Sequence, residues 1–127
     1  MNTDIGVKGD GSVSRTVIGA AFRVANALGI GFLEKVYENS LAFELRSIGC
    51  EVEQQKAVEV RYRGEIVGIY CADLLVDGRL IVELKVAETL SAAHKAQCLN
   101  YLRASGVPTG LVINFGRPRL EIHRVLA

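Results

Sequence analysis

The amino-acid sequence predicts an α/β domain, a mixed central sheet flanked by helices, with its elements in the order ααβββαββ. Three observations predict it. Apolar residues recur at helical spacing from Val17 to Leu28, and again from Leu33 to Ile48. From Ala57 onward the period shortens to strand-like alternation, then to runs that are apolar on both faces and belong in the middle of a covered sheet. A further helical stretch then separates two more strand-like runs, which implies a crossover within one sheet.

Each element has its own signals. Ser12 or Ser14 is expected to cap the first helix, whose apolar positions are Val17, Ile18, Ala21, Val24, Ala25 and Leu28. Gly29-Ile30-Gly31 breaks it, and is better read as a helix break than as a phosphate cradle, because no GxGxxG or P-loop pattern follows. The second helix carries Leu33, Val36, Tyr37, Leu41, Leu45 and Ile48, with Gly49 as its stop, so the two helices form a hairpin. Ala57 to Tyr62 alternates, Arg63-Gly64-Glu65 reads as a turn, and Ile66 to Val76 is a long strand. Asp77-Gly78 turns the chain into Leu80 to Val86. Ser91 caps a third helix that reaches Ser105 and closes at Gly106. Gly110 to Phe115 is a buried strand, and Leu120 to Val125 a last, half-polar one.

The chain has 127 residues, half of them hydrophobic and 23% charged, which suits one domain with a real core. That domain is expected over residues 13–127, behind a polar, glycine-rich and flexible segment at residues 1–12. A formal charge of +1 bears on any nucleic-acid reading, since affinity for nucleic acid comes largely from cations that neutralise phosphates. Such a chain must gather its Lys and Arg on one face, bind weakly, or borrow charge from a partner. Cys50, Cys71 and Cys98 form no CxxC pair and sit among apolar residues, so they read as reduced, buried thiols. His94 and His123 lack zinc-ligand spacing. No signal peptide and no apolar run of membrane-spanning length is present, which points to a cytoplasmic protein that does not engage a membrane.

The chemistry concentrates between Ala72 and Lys85. Charged residues are costly inside a sheet, yet Glu83 and Lys85 interrupt an apolar strand and Asp73 interrupts its neighbour. Glu83 and Lys85 are two apart, so both leave the same face. Paired carboxylates on adjacent strands suit a hard divalent cation, and a lysine beside them can stabilise developing negative charge or orient a water. The competing reading is an internal Glu83–Lys85 ion pair with Asp73 at a solvent-facing strand end. Turn geometry separates the two. A two-residue turn at Asp77-Gly78 would pair Asp73 with Val82 and aim it away from Glu83. A three-residue loop, Asp77 to Arg79, or a bulge pairs Asp73 with Glu83. An odd-length loop or a bulge is therefore expected.

Asp73, nine intervening residues, then Glu83-Leu84-Lys85 resembles the signature of PD-(D/E)XK nucleases, with Cys71-Ala72 in place of the preceding proline. Gly31-Phe32-Leu33-Glu34-Lys35-Val36-Tyr37 resembles the motif that names the small GxxExxY family of that superfamily. The resemblance runs from about Val17 to Val125 and includes Ala96 to Leu102. It implies an αβββαβ core, Mg²⁺ or Mn²⁺ bound by Asp73 and Glu83, and Lys85 as the catalytic lysine. Glu34 would be an accessory acid and metal ligand, and Gln97 an accessory polar residue. It also implies a nucleic-acid substrate, DNA ahead of RNA, and a possible homodimer. The superfamily includes inactive members as well, so a binding or regulatory module acting with partner proteins stays open beside the nuclease. Read from the residues alone, Glu34 suits a helix N-terminus anyway, Tyr101 reads as core and Gln97 as solvated. Glu88 and His94 are further polar candidates near the mouth of the site.

Overall fold

A computed structural model describes residues 10–127. Helix α1 (Asp10–Leu28) starts ahead of both expected caps, so Ser12 and Ser14 lie inside it. The reason is packing: Val13 is itself core, and the helix extends back to bring it there. Residues 1–9 of the segment expected to be flexible lie outside the described residues. Gly29 and Gly31 take φ of 70° and 111°, which ends α1 and starts helix α2 (Glu34–Ser47). The two helices form the expected hairpin, tied on its surface by Arg23 and Glu44 at 2.7 Å.

Strands β1 (Val52–Tyr62), β2 (Glu65–Val76) and β3 (Leu80–Lys85) run as an antiparallel meander. Helix α3 (Ala92–Ser105) then crosses over to β4 (Thr109–Asn114), which lies parallel to β3, and β5 (Glu121–Leu126) closes the far edge antiparallel. The spatial order equals the chain order. This is the mixed sheet expected. β1 begins five residues earlier than the alternation at Ala57 indicated, because Val52 to Gln54 pair with Val76 to Leu74.

The apolar runs divide between the two sides of the sheet. Leu74, Val76, Leu80, Val82, Leu84, Leu111 and Ile113 join α1 and α2 in one core. Leu75, Ile81 and Val112 join Cys98 and Leu102 of α3 in the other. Each fully buried Leu or Ile contributes roughly 1.5–3 kcal/mol, and β4 is buried along its whole length. Gly110 sets how closely α3 approaches: a Cβ there would lie 2.7 Å from Cys98 Sγ. Cys98 is buried as expected, Cys50 is half-buried, and Cys71 is exposed, against expectation, on the outer part of β2; all three are free. Among the described residues, no helix is long and apolar enough to cross a membrane.

Candidate functional site

The site grows out of the turn between β2 and β3. Val76 pairs with Leu80, so the loop is the three-residue Asp77-Gly78-Arg79, closed by the Arg79 amide on the Val76 carbonyl at 3.0 Å. Asp77 and Gly78 both take left-handed φ, 52° and 66°. Asp77 also pins the start of β1, accepting the Glu51 amide on Oδ1 at 2.8 Å. The register this loop sets runs Val76–Leu80, Leu75–Ile81, Leu74–Val82, and so brings Asp73 opposite Glu83.

The backbone ladder stops one step short of that pair, and the two carboxylates take its place. The Asp73 amide donates to Glu83 Oε2 at 3.2 Å, and the Leu84 amide donates to Asp73 Oδ2 at 2.8 Å. Across Asp73 the alternation of β2 inverts. Leu74 and Val76 pack toward α1 and α2, whereas Ala72 and Tyr70 pack toward α3. The acids therefore meet where two strands part, rather than by simple alternation along a regular ladder. Glu83 leans toward α3, where Tyr70 donates to its Oε2 at 3.3 Å and Tyr70 stacks on Tyr101. Lys85 reaches the same helix, its Nζ donating to Gln97 Oε1 at 3.5 Å. Among the described ion pairs, none joins Lys85 to either acid.

Burial makes this a strained place for charge. Glu83 is 6% exposed; burial first, then the negative charge of Asp73, push its carboxyl up to about 7. Asp73 is also raised, by burial above all, against the lowering effect of its hydrogen bonds from Leu84 and Gln55. The same environment pushes the Cys98 thiol up to about 12, through burial and then Glu83, and holds the Tyr70 hydroxyl well above its usual range for the same two reasons. Glu34 stands at the rim. Desolvation and then the Asp73 charge raise its carboxyl, while Lys85 pulls it down, so it shares one electrostatic neighbourhood with both.

Glu34 is held there by the loop before it. Tyr37 is fully buried, stacks on Phe115 with ring centroids 4.8 Å apart, and donates its hydroxyl to the Gly29 carbonyl at 2.6 Å. The Phe32 amide donates back to that hydroxyl at 3.3 Å. Gly31, Glu34 and Tyr37 thus act together: the glycine permits the bend, the tyrosine locks it, and the acid starts the helix at the rim of the site.

Three polar residues here escaped the sequence reading. Glu38, 3% exposed on α2, takes Lys35 Nζ, Gln54 Nε2 and Gln55 Nε2, each at 2.9 Å. Gln55 also donates to Asp73 Oδ1 at 3.2 Å. Asn114, fully buried and paired with Lys85 in the β3–β4 register, clamps the loop that leaves the site through both Ala87 backbone groups. A buried acid amid the polar half of an amphipathic helix leaves no periodic signature, and neither does a glutamine in a strand. Asn114 did carry a signal, as the one amide inside an apolar run. His94, expected near the mouth, instead completes a capping box with Ser91 by accepting the Ser91 amide on Nδ1 at 3.1 Å. Tyr101 is half-buried and Glu88 exposed.

The donor chemistry suits a hard divalent cation, since Asp73 and Glu83 offer carboxylate oxygens in a buried setting that needs positive charge. Among the described residues, no three His, Cys, Asp or Glu side chains are gathered as a preformed cage. Remaining ligands would come from water, substrate or the main chain.

A mixed sheet clasped between a helical hairpin and a crossover helix is the architecture of a PD-(D/E)XK nuclease-like α/β domain. Residues 11–125 match the PD-(D/E)XK nuclease superfamily, and the chain belongs to it. The crystal structure of SSO0001 aligns with a TM-score of 0.55 and 16% identity, over 91% of this chain, and at that identity the likeness is one of fold. The alignment spans 58% of that protein's length. No curated protein matches the chain.

Proposed function

We propose that this chain is a divalent-metal-dependent nuclease of the GxxExxY type, hydrolysing phosphodiester bonds of nucleic acid, DNA ahead of RNA. One relationship carries the reading: the three-residue turn brings Asp73 opposite Glu83, with Lys85 two residues further along and joined to neither acid among the described ion pairs. Asp73 and Glu83 would hold Mg²⁺ or Mn²⁺, with Glu34 as a further acid at the rim. A cation bound there supplies charge neutralisation at a phosphate oxygen and a more acidic water. Lys85 supplies fixed positive charge for the negative charge that develops on hydrolysis, and Gln97 holds its ammonium. Half-buried Tyr70 and the Tyr101 ring against it cover Glu83 on the α3 side.

A cleft of about 920 Å³ between β1 and α3 supports an anionic substrate. Lys56, Arg61 and Arg103 line it, with Glu59 as its one acid. Lys56 and Arg61 are each in a described ion pair, which leaves Arg103 as the cation there for a phosphate.

A second reading, a non-catalytic binding module, draws on one observation: both carboxylates already accept backbone amides. Cleavage assays separate the two. With Mg²⁺ or Mn²⁺ and labelled single- and double-stranded oligonucleotides, the wild type should cut. Glu83→Ala should abolish cutting with its melting temperature at or above wild type, and Lys85→Ala should lower the rate on the order of 10²–10³-fold. A wild type that cuts none of these, and gains no thermal stability from Mn²⁺, sinks the nuclease reading.

A further inference from the structure

We infer that Gln55 is a positioning residue for Asp73, its backbone held in an uncommon conformation so that its side chain reaches the site. The inference rests on the metal-dependent reading above. Gln55 has φ of 53°, in the left-handed region, although it is neither glycine nor asparagine. It sits opposite Asp73, and this is where the β1–β2 ladder skips a step: Gln54 pairs with Leu74 and Lys56 with Ala72, while Gln55 and Asp73 do not pair. The inversion of β2 at Asp73 falls at the same place. Both strands therefore depart from regular geometry at one shared step.

What the departure achieves is visible in the side chains. Gln55 Nε2 donates at once to Glu38 Oε1 at 2.9 Å and to Asp73 Oδ1 at 3.2 Å. A neutral amide donor thereby bridges two carboxylates, one of them 3% exposed, that no cation joins directly; Lys35 reaches only Glu38. Asp73 Oδ2 is meanwhile taken by the Leu84 amide. With both oxygens anchored, the carboxylate plane is set before any ligand arrives. A lysine at position 55 would neutralise Asp73 and compete with a metal ion. Glutamine orients the acid and leaves its charge available. Gln54, its neighbour, donates to Glu38 and Asn39 and does not touch Asp73, so the role belongs to Gln55 alone of the two.

The test compares Gln55→Gly, Gln55→Asn and Gln54→Ala with wild type. Glycine accepts the left-handed backbone and removes the bridge; asparagine also tolerates that backbone but is one methylene too short to span both acids. Two quantities are read: the melting temperature without metal, and the Mn²⁺ affinity from the free-ion signal in electron paramagnetic resonance. Both Gln55 variants should bind Mn²⁺ roughly 10–100-fold more weakly, with Gln55→Gly melting at or near the wild-type temperature. Gln54→Ala should keep wild-type affinity. Either Gln55 variant folding and binding Mn²⁺ as tightly as wild type would overturn the inference alone. A wild type that binds no Mn²⁺ would overturn the metal reading and this inference with it.

Discussion

Asp73 and Glu83 exchange roles with the backbone: the Asp73 amide is bound by the Glu83 carboxylate, while the Asp73 carboxylate takes the Leu84 amide that a regular strand would offer to its neighbour's carbonyl. Two ladder positions are thus satisfied by side chains. Both acids are tethered by backbone amides, and the strands open where they meet. On the metal-dependent reading, a cation would be held where these two anchored carboxylates meet.

The burial of Glu83 has a thermodynamic consequence in metal-free protein. Glu83 is raised from the ordinary glutamate range to about 7 by burial and by Asp73. The folded state therefore holds this proton more tightly than the unfolded state does. The stability contributed by this group is fully present below the unfolded glutamate value, is lost as pH rises toward 7, and changes no further above that. The loss is on the order of 3 kcal/mol. Denaturant unfolding in EDTA should show wild type weaker at pH 8 than at pH 5, and Glu83→Gln flatter across that range. Wild type and variant with the same pH profile would contradict this.

Tyr37 gives a separate handle on Glu34. Removing its hydroxyl leaves the Gly29 carbonyl and the Phe32 amide without the partner that joins them. Tyr37→Phe should cost roughly 1–3 kcal/mol and should slow cleavage as well, because the loop that delivers Glu34 loosens. Full activity at reduced stability would mean that the loop has no part in placing the acid.

Most of the fold was legible because its signals are local. The change of period near Ala57, the Ser91 and Gly106 caps and the two-faced apolar strands all rest on neighbouring residues. Asp73, Glu83 and Lys85 stood out because charge inside an apolar strand is costly, and the three-residue loop followed from asking how two of them could meet. Glu38 and Gln55 were not legible. Their roles depend on α2 packing beside the irregular step of β1, a tertiary fact, and nothing in Glu53-Gln54-Gln55-Lys56 marks a left-handed residue. The first half of β1 was missed for the same reason: its strand character comes from pairing with β2, not from its own polar sequence.

His94 looks like a site residue in sequence, one helical turn before Gln97, yet the structure uses it to cap α3. Ser91→Ala should cost about 1 kcal/mol, and His94→Ala a similar or smaller amount, with the cleavage rate per folded molecule unchanged in both. A rate loss in His94→Ala well beyond that of Ser91→Ala would return the histidine to the site.

The cleft between β1 and α3 should carry the salt dependence of substrate binding. Two of its three cations are already engaged, Lys56 with Glu53 at 3.1 Å and Arg61 with Glu59 at 2.8 Å. Arg103 enters none of the described ion pairs and faces the cleft from α3, two residues beyond Tyr101. It is the cation with most to gain from a phosphate. In Ca²⁺, or with Glu83→Ala to prevent cutting, single-stranded oligonucleotide affinity should fall in Arg103→Ala. The slope of log affinity against log salt should shrink by about 0.7, the value expected for one lost phosphate contact on a single strand. Arg119→Ala, which alters a cation outside the cleft, should leave that slope as it is. Equal slopes for wild type and Arg103→Ala would show that the strand takes another path.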